Sequence, residues 1–162
     1  MQNQLSQIVK KLDRKPAWLR YRILSYVLGK TIHFVGTAGV KCLYLSHQKA
    51  IFKLPAKRRV KNHIGTIHAA ASALVAETAS GLALAMHLPD TKMPLLKSMQ
   101  IQYIKRSTGW LTAEASLTQQ QIESLHRDPK GSFIVTCEVL DEISETPILC
   151  QMEWAWTEKR NP

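Results

Sequence analysis

The sequence has few cysteines, no long apolar run and almost no acidic residues in its first third. Its three cysteines, Cys42, Cys137 and Cys150, fit neither a disulfide framework nor a metal knuckle, because their number is odd and their spacing is wide. No apolar run approaches the roughly 18 residues that a membrane span needs, and the polar residues 1–7 predict no secretory signal peptide. We therefore expect a cytoplasmic protein with reduced thiols and no membrane span.

The composition is that of a globular protein. Hydrophobic residues make up 45% and charged residues 21% of the 162 positions, which are ordinary values and exclude a disordered tail or a fibre. The length corresponds to about one domain and suffices to bury a core without disulfides or metal. We expect a single domain over residues 1–162.

Positive charge is concentrated in one part of the chain. The net charge is +10, and residues 1–61 contain 14 Lys and Arg residues against one acid, Asp13. Residues 62–162 contain 8 Lys and Arg residues against 11 acids. This asymmetry indicates a polyanionic partner, such as nucleic acid, an anionic membrane surface or a phosphate-bearing ligand. A solvated basic face is the alternative.

Helical periodicity dominates the first 30 residues. Apolar residues predict one helix around residues 5–12, and Pro16 predicts the start of a second helix that Gly29 ends. A basic amphipathic helix is compatible with a membrane surface, but packing of its apolar stripe onto the core is favoured.

Strand patterns and one long helix occupy the rest of the chain. The helix is predicted over residues 68–87, and a short helix capped by Thr118 over 118–126. Candidate strands cover residues 40–45, 50–54, 99–105, 111–117, 133–140 and 148–156, and Thr108-Gly109 predicts a hairpin between the third and fourth. This order predicts an α+β fold, a largely antiparallel sheet wrapped around one helix.

One acidic residue, Glu77, lies in the middle of the predicted long helix. That helix contains eight alanines and has no Lys or Arg within two turns of Glu77. Because an ionised carboxylate in apolar surroundings is costly, burial should raise its pKa toward the range useful for acid–base catalysis. An exposed position, or a protonated carboxyl bonded to a backbone carbonyl, is the structural alternative.

The residues before this helix add a second chemical feature. Residues 62–68 lead into the helix start, where the first backbone N–H groups lack intrahelical partners. Such a terminus binds an oxyanion, assisted by the helix dipole. A carbonyl site at the helix start and a carboxylate about two turns away form a layout suited to acyl transfer.

The stretch N-H-I-G-T-I-H-A-A-A-S-A-L-V-A-E-T-A-S-G, residues 62–81, resembles the central-helix signature of hotdog-fold thioesterases. It is most similar to the phenylacetate-degradation-type subgroup and to an adjoining uncharacterised hotdog family. In that subgroup an Asn precedes a His-Gly-Gly, and an acid follows nine residues after the His, as Asn62, His68 and Glu77 do here. The resemblance covers about residues 35–157, after a helical extension over residues 1–30. Ala69 and Ala70 replace the two glycines, and the added Cβ atoms crowd the approach of a substrate.

The resemblance implies hydrolysis of acyl-CoA thioesters at the interface of a homodimer, or of a homotetramer built as a dimer of dimers, with no cofactor. Glu77 would act as nucleophile or general base, and the N–H of Ala69 would polarise the thioester carbonyl. Asn62 would orient the substrate or water. His68 would shape the helix start and assist the leaving thiolate.

Coenzyme A carries three phosphates, which gives the basic residues a candidate purpose. Arg58, Arg59 and Lys61 precede the motif, and Lys105 and Arg106 end a predicted strand. Arg and Lys side chains both suit phosphates, with a solvated rim as the alternative for each. The histidines show no metal-ligand spacing, and we expect no metal site.

Three other functions compete with thioester hydrolysis. A hotdog dehydratase or hydratase would pair a His with a carboxylate, but His68 and Glu77 are about 13 Å apart along a helix. A non-catalytic acyl-CoA or lipid-binding module would retain Glu77 without using it, with Ala69 blocking catalysis. A nucleic-acid binder would use the basic half, but no recognition motif is present, and we expect no nucleic acid partner.

Overall fold

A six-stranded antiparallel sheet wraps one long helix in the computed structural model, which describes residues 3–159. The helices are α1 (Gln4–Leu12), α2 (Ala17–Thr31), α3 (His33–Ala38), α4 (Ala69–Ala85) and α5 (Gln119–Arg127), with a 3-10 turn at Arg58–Val60. The strands are β1 (Lys41–Leu45), β2 (Ala50–Leu54), β3 (Lys92–Tyr103), β4 (Leu111–Ala115), β5 (Gly131–Asp141) and β6 (Ile148–Glu158). Their order is β1-β2-β4-β5-β6-β3, and every neighbouring pair is antiparallel. This is the hotdog fold, and it confirms the predicted α+β class.

The central helix α4 is apolar on almost every side. Eleven of its seventeen residues are buried, and its alanines let the strands of the sheet approach closely. The hydroxyls of Thr78 and Ser80 donate to the backbone carbonyls of Leu74 and Ala76, at 2.6 and 2.9 Å. These buried hydroxyls are thus satisfied within the helix, and the prediction of a helix over residues 68–87 is confirmed.

The N-terminal helices are attached to the end of α4. Asn3 caps α1 and donates its side-chain amide to the carbonyls of Ala85 and Leu88, at 2.6 and 2.7 Å. Helix α2 starts after Pro16, as predicted, but continues past Gly29 to Thr31. No helix in the described range 3–159 is long and apolar enough to cross a bilayer.

Helix α3 was not predicted from the sequence. It is only six residues long, too short for a periodic apolar pattern. Its position depends on close contact with α2, because a Cβ at Gly36 would overlap the Gly29 carbonyl. Both glycines therefore allow α3 to turn back against α2.

The predicted hairpin between residues 99–105 and 111–117 is wrong. Strand β3 pairs with β6, in a register that places Lys92 opposite Glu158 and Tyr103 opposite Ile148. Strand β4 lies between β2 and β5 instead. The Thr108-Gly109 turn belongs to a crossover, in which the Thr108 N–H donates to the Asp141 carboxylate at 2.9 Å.

The predicted short helix at residues 118–126 is confirmed as α5. The Thr118 hydroxyl accepts the N–H of Gln121, whose side chain accepts the N–H of Thr118 in return, which makes a capping box. Pro94 lies inside β3. A proline is tolerated there because β3 is an edge strand with one unpaired side.

Candidate active site

His68 sets the start of α4. Its backbone is extended, with φ −64° and ψ 141°, and its Nδ1 accepts the N–H of Ala70 at 3.1 Å. Its carbonyl accepts the N–H groups of Ala71 and Ser72. Among the residues that the structure describes, nothing accepts the N–H of Ala69, so this donor is available to a ligand.

Asn62 organises the loop before the helix. Its Oδ1 accepts the N–H groups of Ile64 and Thr66, both at 3.1 Å. Its Nδ2 donates to the Thr66 hydroxyl at 2.9 Å, and Gly65 in this loop has φ 82°. Asn62 therefore shapes the loop, and one N–H of its amide remains for a substrate or water.

A cavity of about 340 Å³, here called the helix-start cavity, lies at this end of α4. It brings together four of the predicted site residues, Asn62, Ala69, Lys105 and Arg106. Tyr103 also lines it and donates its hydroxyl to the Ala69 carbonyl at 3.0 Å. No local sequence pattern indicates this role of Tyr103, because the contact joins β3 to α4.

The five predicted phosphate-binding cations lie in different places. Lys105 forms an ion pair with Glu145, whereas Arg106 has no acidic partner within residues 3–159. Arg58, Arg59 and Lys61 are exposed on or beside the 3-10 turn and do not line the helix-start cavity. The Arg59 guanidinium lies against Gly39, at the end of α3.

Glu77 lines a second cavity, about 190 Å³ in volume, here called the Glu77 cavity. Apolar side chains dominate its walls: Ile32, Val35, Leu74, Leu82, Ala85, Pro94 and Trp154, together with Thr78 and Gly81. The half-buried Glu77 carboxylate has no hydrogen bond or ion pair with any other described residue. Burial therefore raises the pKa of Glu77, in the direction that the sequence predicts.

Gly81 makes room for one wall of the Glu77 cavity. A Cβ at this position would lie 2.7 Å from the ring of Trp154. The Trp154 indole N–H donates to the Ser80 hydroxyl at 3.0 Å, which fixes the ring against α4. A glycine inside an alanine-rich helix is a sequence signal for such a close approach, although it does not identify the partner.

The two cavities lie along one helix and do not merge. Ala69 and Glu77 are eight residues apart, which is about 12 Å at a rise of 1.5 Å per residue. His68 is one residue further from Glu77, so a His–carboxylate pair does not form within one chain. The described part of the chain holds no group of three His, Cys, Asp or Glu residues that could bind a metal ion.

A long buried helix wrapped by a six-stranded antiparallel sheet defines a hotdog-fold protein. Residues 20–156 match the family model of the domain of unknown function DUF4442, and the chain belongs to this family. No curated protein matches the sequence.

Solved structures with the same fold come from several bacteria. A Pseudomonas aeruginosa protein, described as of unknown function and a probable thioesterase, is 20% identical with a TM-score of 0.76, over 85% of this chain and 96% of its own. A Haemophilus influenzae thioesterase is 16% identical with a TM-score of 0.64, over 77% and 82% of the two chains. A Bacillus halodurans protein solved with CoA is 22% identical with a TM-score of 0.56, over 65% and 66%.

Proposed function

We propose that this protein is a thioesterase that hydrolyses acyl-CoA. The observation that carries the proposal is the Glu77 carboxylate, which lies against an apolar cavity on the central helix of a hotdog fold and has no partner within residues 3–159. Similar structures described as thioesterases, and one solved with CoA, support the same reaction class.

Glu77 would act as general base or as nucleophile. As a base, its carboxylate takes a proton from water while the oxygen of that water bonds to the thioester carbonyl carbon. The carbonyl oxygen becomes an oxyanion and accepts the N–H of Ala69. The C–S bond then breaks, and the products are a carboxylic acid and the CoA thiol.

His68 would protonate the leaving thiolate, although its side chain is not among those that line the helix-start cavity. Its Nδ1 accepts the N–H of Ala70, so the proton that it donates would come from Nε2. Asn62 would orient the water or substrate through its remaining amide N–H. The proposal gives Tyr103 a positioning role, since it holds the first turn of α4 through the Ala69 carbonyl.

CoA would occupy the helix-start cavity. Arg106 and Lys105 lie in its wall and would contact phosphates of the nucleotide. Arg58, Arg59 and Lys61 stand outside this wall, and their role in the proposal is to attract the anionic ligand at longer range.

The proposed site needs two copies of the chain. Ala69 and Glu77 line separate cavities of one protomer, so a thioester would meet the Glu77 of one copy and the Ala69 N–H of another. A homodimer is the smallest assembly that does this, and a dimer of dimers would repeat it.

A non-catalytic acyl-CoA-binding module is the second candidate. It is favoured by Ala69 and Ala70, whose methyl groups are exposed at the start of α4 where the related motif has two glycines. Thiol release from a panel of acetyl-, hexanoyl-, palmitoyl- and phenylacetyl-CoA separates the two candidates, with calorimetry of CoA binding in parallel. Thiol release that depends on Glu77 supports the thioesterase. Binding without release selects the module, and the absence of both contradicts each.

A further inference from the structure

Helix α2 and the residues after it expose large apolar side chains. The exposed fractions are 65% for Trp18, 68% for Tyr26 and 60% for Phe34. Val27 and Ile32, between them in sequence, are also exposed. Several large apolar residues that remain in contact with water on one short segment of the chain indicate an interaction surface rather than scattered surface positions.

Four of the exposed residues form one stripe along α2. Trp18, Arg22, Tyr26 and Lys30 follow at intervals of four residues, so their side chains lie one above another on the same helix face. The Lys30 ammonium lies 5.9 Å from the centroid of the Tyr26 ring. We call these four residues the aromatic–basic stripe.

The stripe lies in a segment without negative charge. Between Asp13 and Glu77 the sequence contains 12 Lys and Arg residues and no Asp or Glu. Asp13 is paired with Arg20, and Glu114 with Lys49. Neither Arg22 nor Lys30 has an acidic partner in the described part of the chain. The stripe therefore presents an uncompensated positive charge beside its aromatic rings.

We propose that the aromatic–basic stripe docks the protein onto the surface of an anionic lipid bilayer. Trp and Tyr side chains place an apolar ring in the acyl boundary and a polar edge at the headgroups. Arg and Lys on the same face meet the lipid phosphates. A nucleic acid is favoured less, because single-stranded sites use a groove that follows the backbone, and the stripe is a convex helix face.

The docking surface continues toward the Glu77 cavity. Ile32 follows the stripe in sequence, is 39% exposed and also lines that cavity. Resting on the proposed function, this continuity makes a bilayer-associated acyl thioester the substrate class, with its acyl chain entering past Ile32. Docking itself is measured without turnover, so its failure is distinguishable from failure of the proposed activity.

Flotation with vesicles tests the docking directly. We expect the full chain to float with vesicles of phosphatidylcholine containing about 30 mol% phosphatidylglycerol, to stay unbound with phosphatidylcholine alone, and to be released by high salt. The double variant Arg22→Gln/Lys30→Gln should weaken partitioning about 25-fold, since each cation near an anionic surface contributes about fivefold.

A control double variant removes two positive charges from a surface outside α2. Lys130 and Lys159 are exposed and lie outside α2, next to β5 and β6. Lys130→Gln/Lys159→Gln should bind the anionic vesicles within about twofold of the parent. Thermal unfolding of both double variants verifies that the fold is intact, because all four side chains are exposed.

Tryptophan fluorescence reports whether the stripe itself enters the lipid. Trp18 is exposed, whereas Trp154 and Trp156 are buried and the half-buried Trp110 is covered by Lys53 at 3.5 Å. Brominated lipids should quench the tryptophan fluorescence of the parent protein. The Trp18→Phe variant should lose this quenching while still binding the anionic vesicles. Any of three results overturns the proposal. The first is no binding to anionic vesicles at low salt, and the second is an equal loss of vesicle binding in both double variants. The third is binding of duplex DNA or of a second copy of the chain that depends on the stripe, without vesicle binding.

Discussion

Ala69 and Glu77 lie eight residues apart on one helix, about 12 Å along its axis, and line different cavities of the same protomer. A thioester carbonyl is too small to contact both groups at once within one chain. In the proposed mechanism, the two groups would act in one reaction only where two copies of the chain meet. The proposed mechanism therefore depends on the oligomeric state, and substitutions of Ala69 and Glu77 test both together.

Complementation between two inactive variants tests the shared site. In a homodimer of the Glu77→Gln variant, or of the Ala69→Pro variant, both proposed active sites carry the substitution and should be inactive. In a mixed dimer one site carries both changes and the other carries none, so random pairing should restore about a quarter of the parent rate. The measurement is thiol release after coexpression, with light scattering to establish the dimer. A mixture as inactive as its parts would contradict the shared site.

Replacing the carboxylate of Glu77 separates catalysis from architecture. Glu77→Gln keeps the shape of the side chain, and turnover should fall by about 10² or more, as for other positioned acid–base groups. Thermal stability should hold or rise, because a desolvated charge without a partner has been removed. Glu138→Gln is the control, since Glu138 is an exposed carboxylate without an ion pair among the described residues. A folded, dimeric Glu77→Gln variant at the parent rate would eliminate the mechanism.

The raised pKa of Glu77 predicts two pH dependences. Turnover needs the ionised carboxylate, so the acid limb of the rate profile should lie above the usual carboxyl range and disappear in Glu77→Gln. Since folding raises this pKa, protonated Glu77 favours the folded state, and that contribution is lost as pH rises through the raised pKa. The melting temperatures of parent and variant should coincide at low pH and diverge toward neutral pH. A constant difference would contradict the burial of an ionisable group here.

Ala69→Pro removes the proposed oxyanion donor, the backbone N–H of residue 69, and keeps α4 intact. Ala69 is the first residue of α4, where proline fits, and the ψ of 141° at His68 suits a residue before proline. Turnover should fall by about 10² with little change in thermal stability. Ala69→Gly retains the N–H and removes the Cβ, so its rate should equal or exceed that of the parent. If the proline variant retained full activity while folded, another donor would have to bind the oxyanion.

Arg106 should contribute more to CoA affinity than Arg58. Arg106 lines the helix-start cavity without an acidic partner in the described chain, whereas Arg58 does not line it. Arg106→Gln should raise the Kd for CoA about tenfold, the scale of one charge-assisted hydrogen bond. Its binding should also depend less on salt. Calorimetry at low and high salt measures both, and equal losses in Arg58→Gln and Arg106→Gln would place the phosphates elsewhere.

Local sequence patterns predicted most elements of the fold but not how the strands pair. The alanines of α4, the cap at His68 and the box at Thr118 are local features, and each predicted helix was confirmed. The hairpin prediction was wrong because Thr108-Gly109 describes only a turn. The partner of β3 is chosen by contacts with β6, far along the chain.

The candidate site was predictable where its residues share one helix and the loop before it. The spacing of Asn62, His68 and Glu77 is visible in the sequence, and so is the absence of a cation near Glu77. Tyr103 and Trp154 reach α4 from β3 and β6 through tertiary contacts. No periodicity encodes such contacts, and charge alone could not separate Arg106 from Arg58.

The sheet order also sets the sequence of events during synthesis. Among the described strands, β3 pairs only with β6, and β5 pairs with β4 on one side and with β6 on the other. While a ribosome is still adding residues 104–147, the backbone N–H and C=O groups of β3 have no neighbouring strand to pair with. Unpaired strands of this kind fold slowly and are prone to aggregate. Emergence of residues 148–158 therefore completes the middle and the edge of the sheet in a single step, because β6 pairs with both β5 and β3.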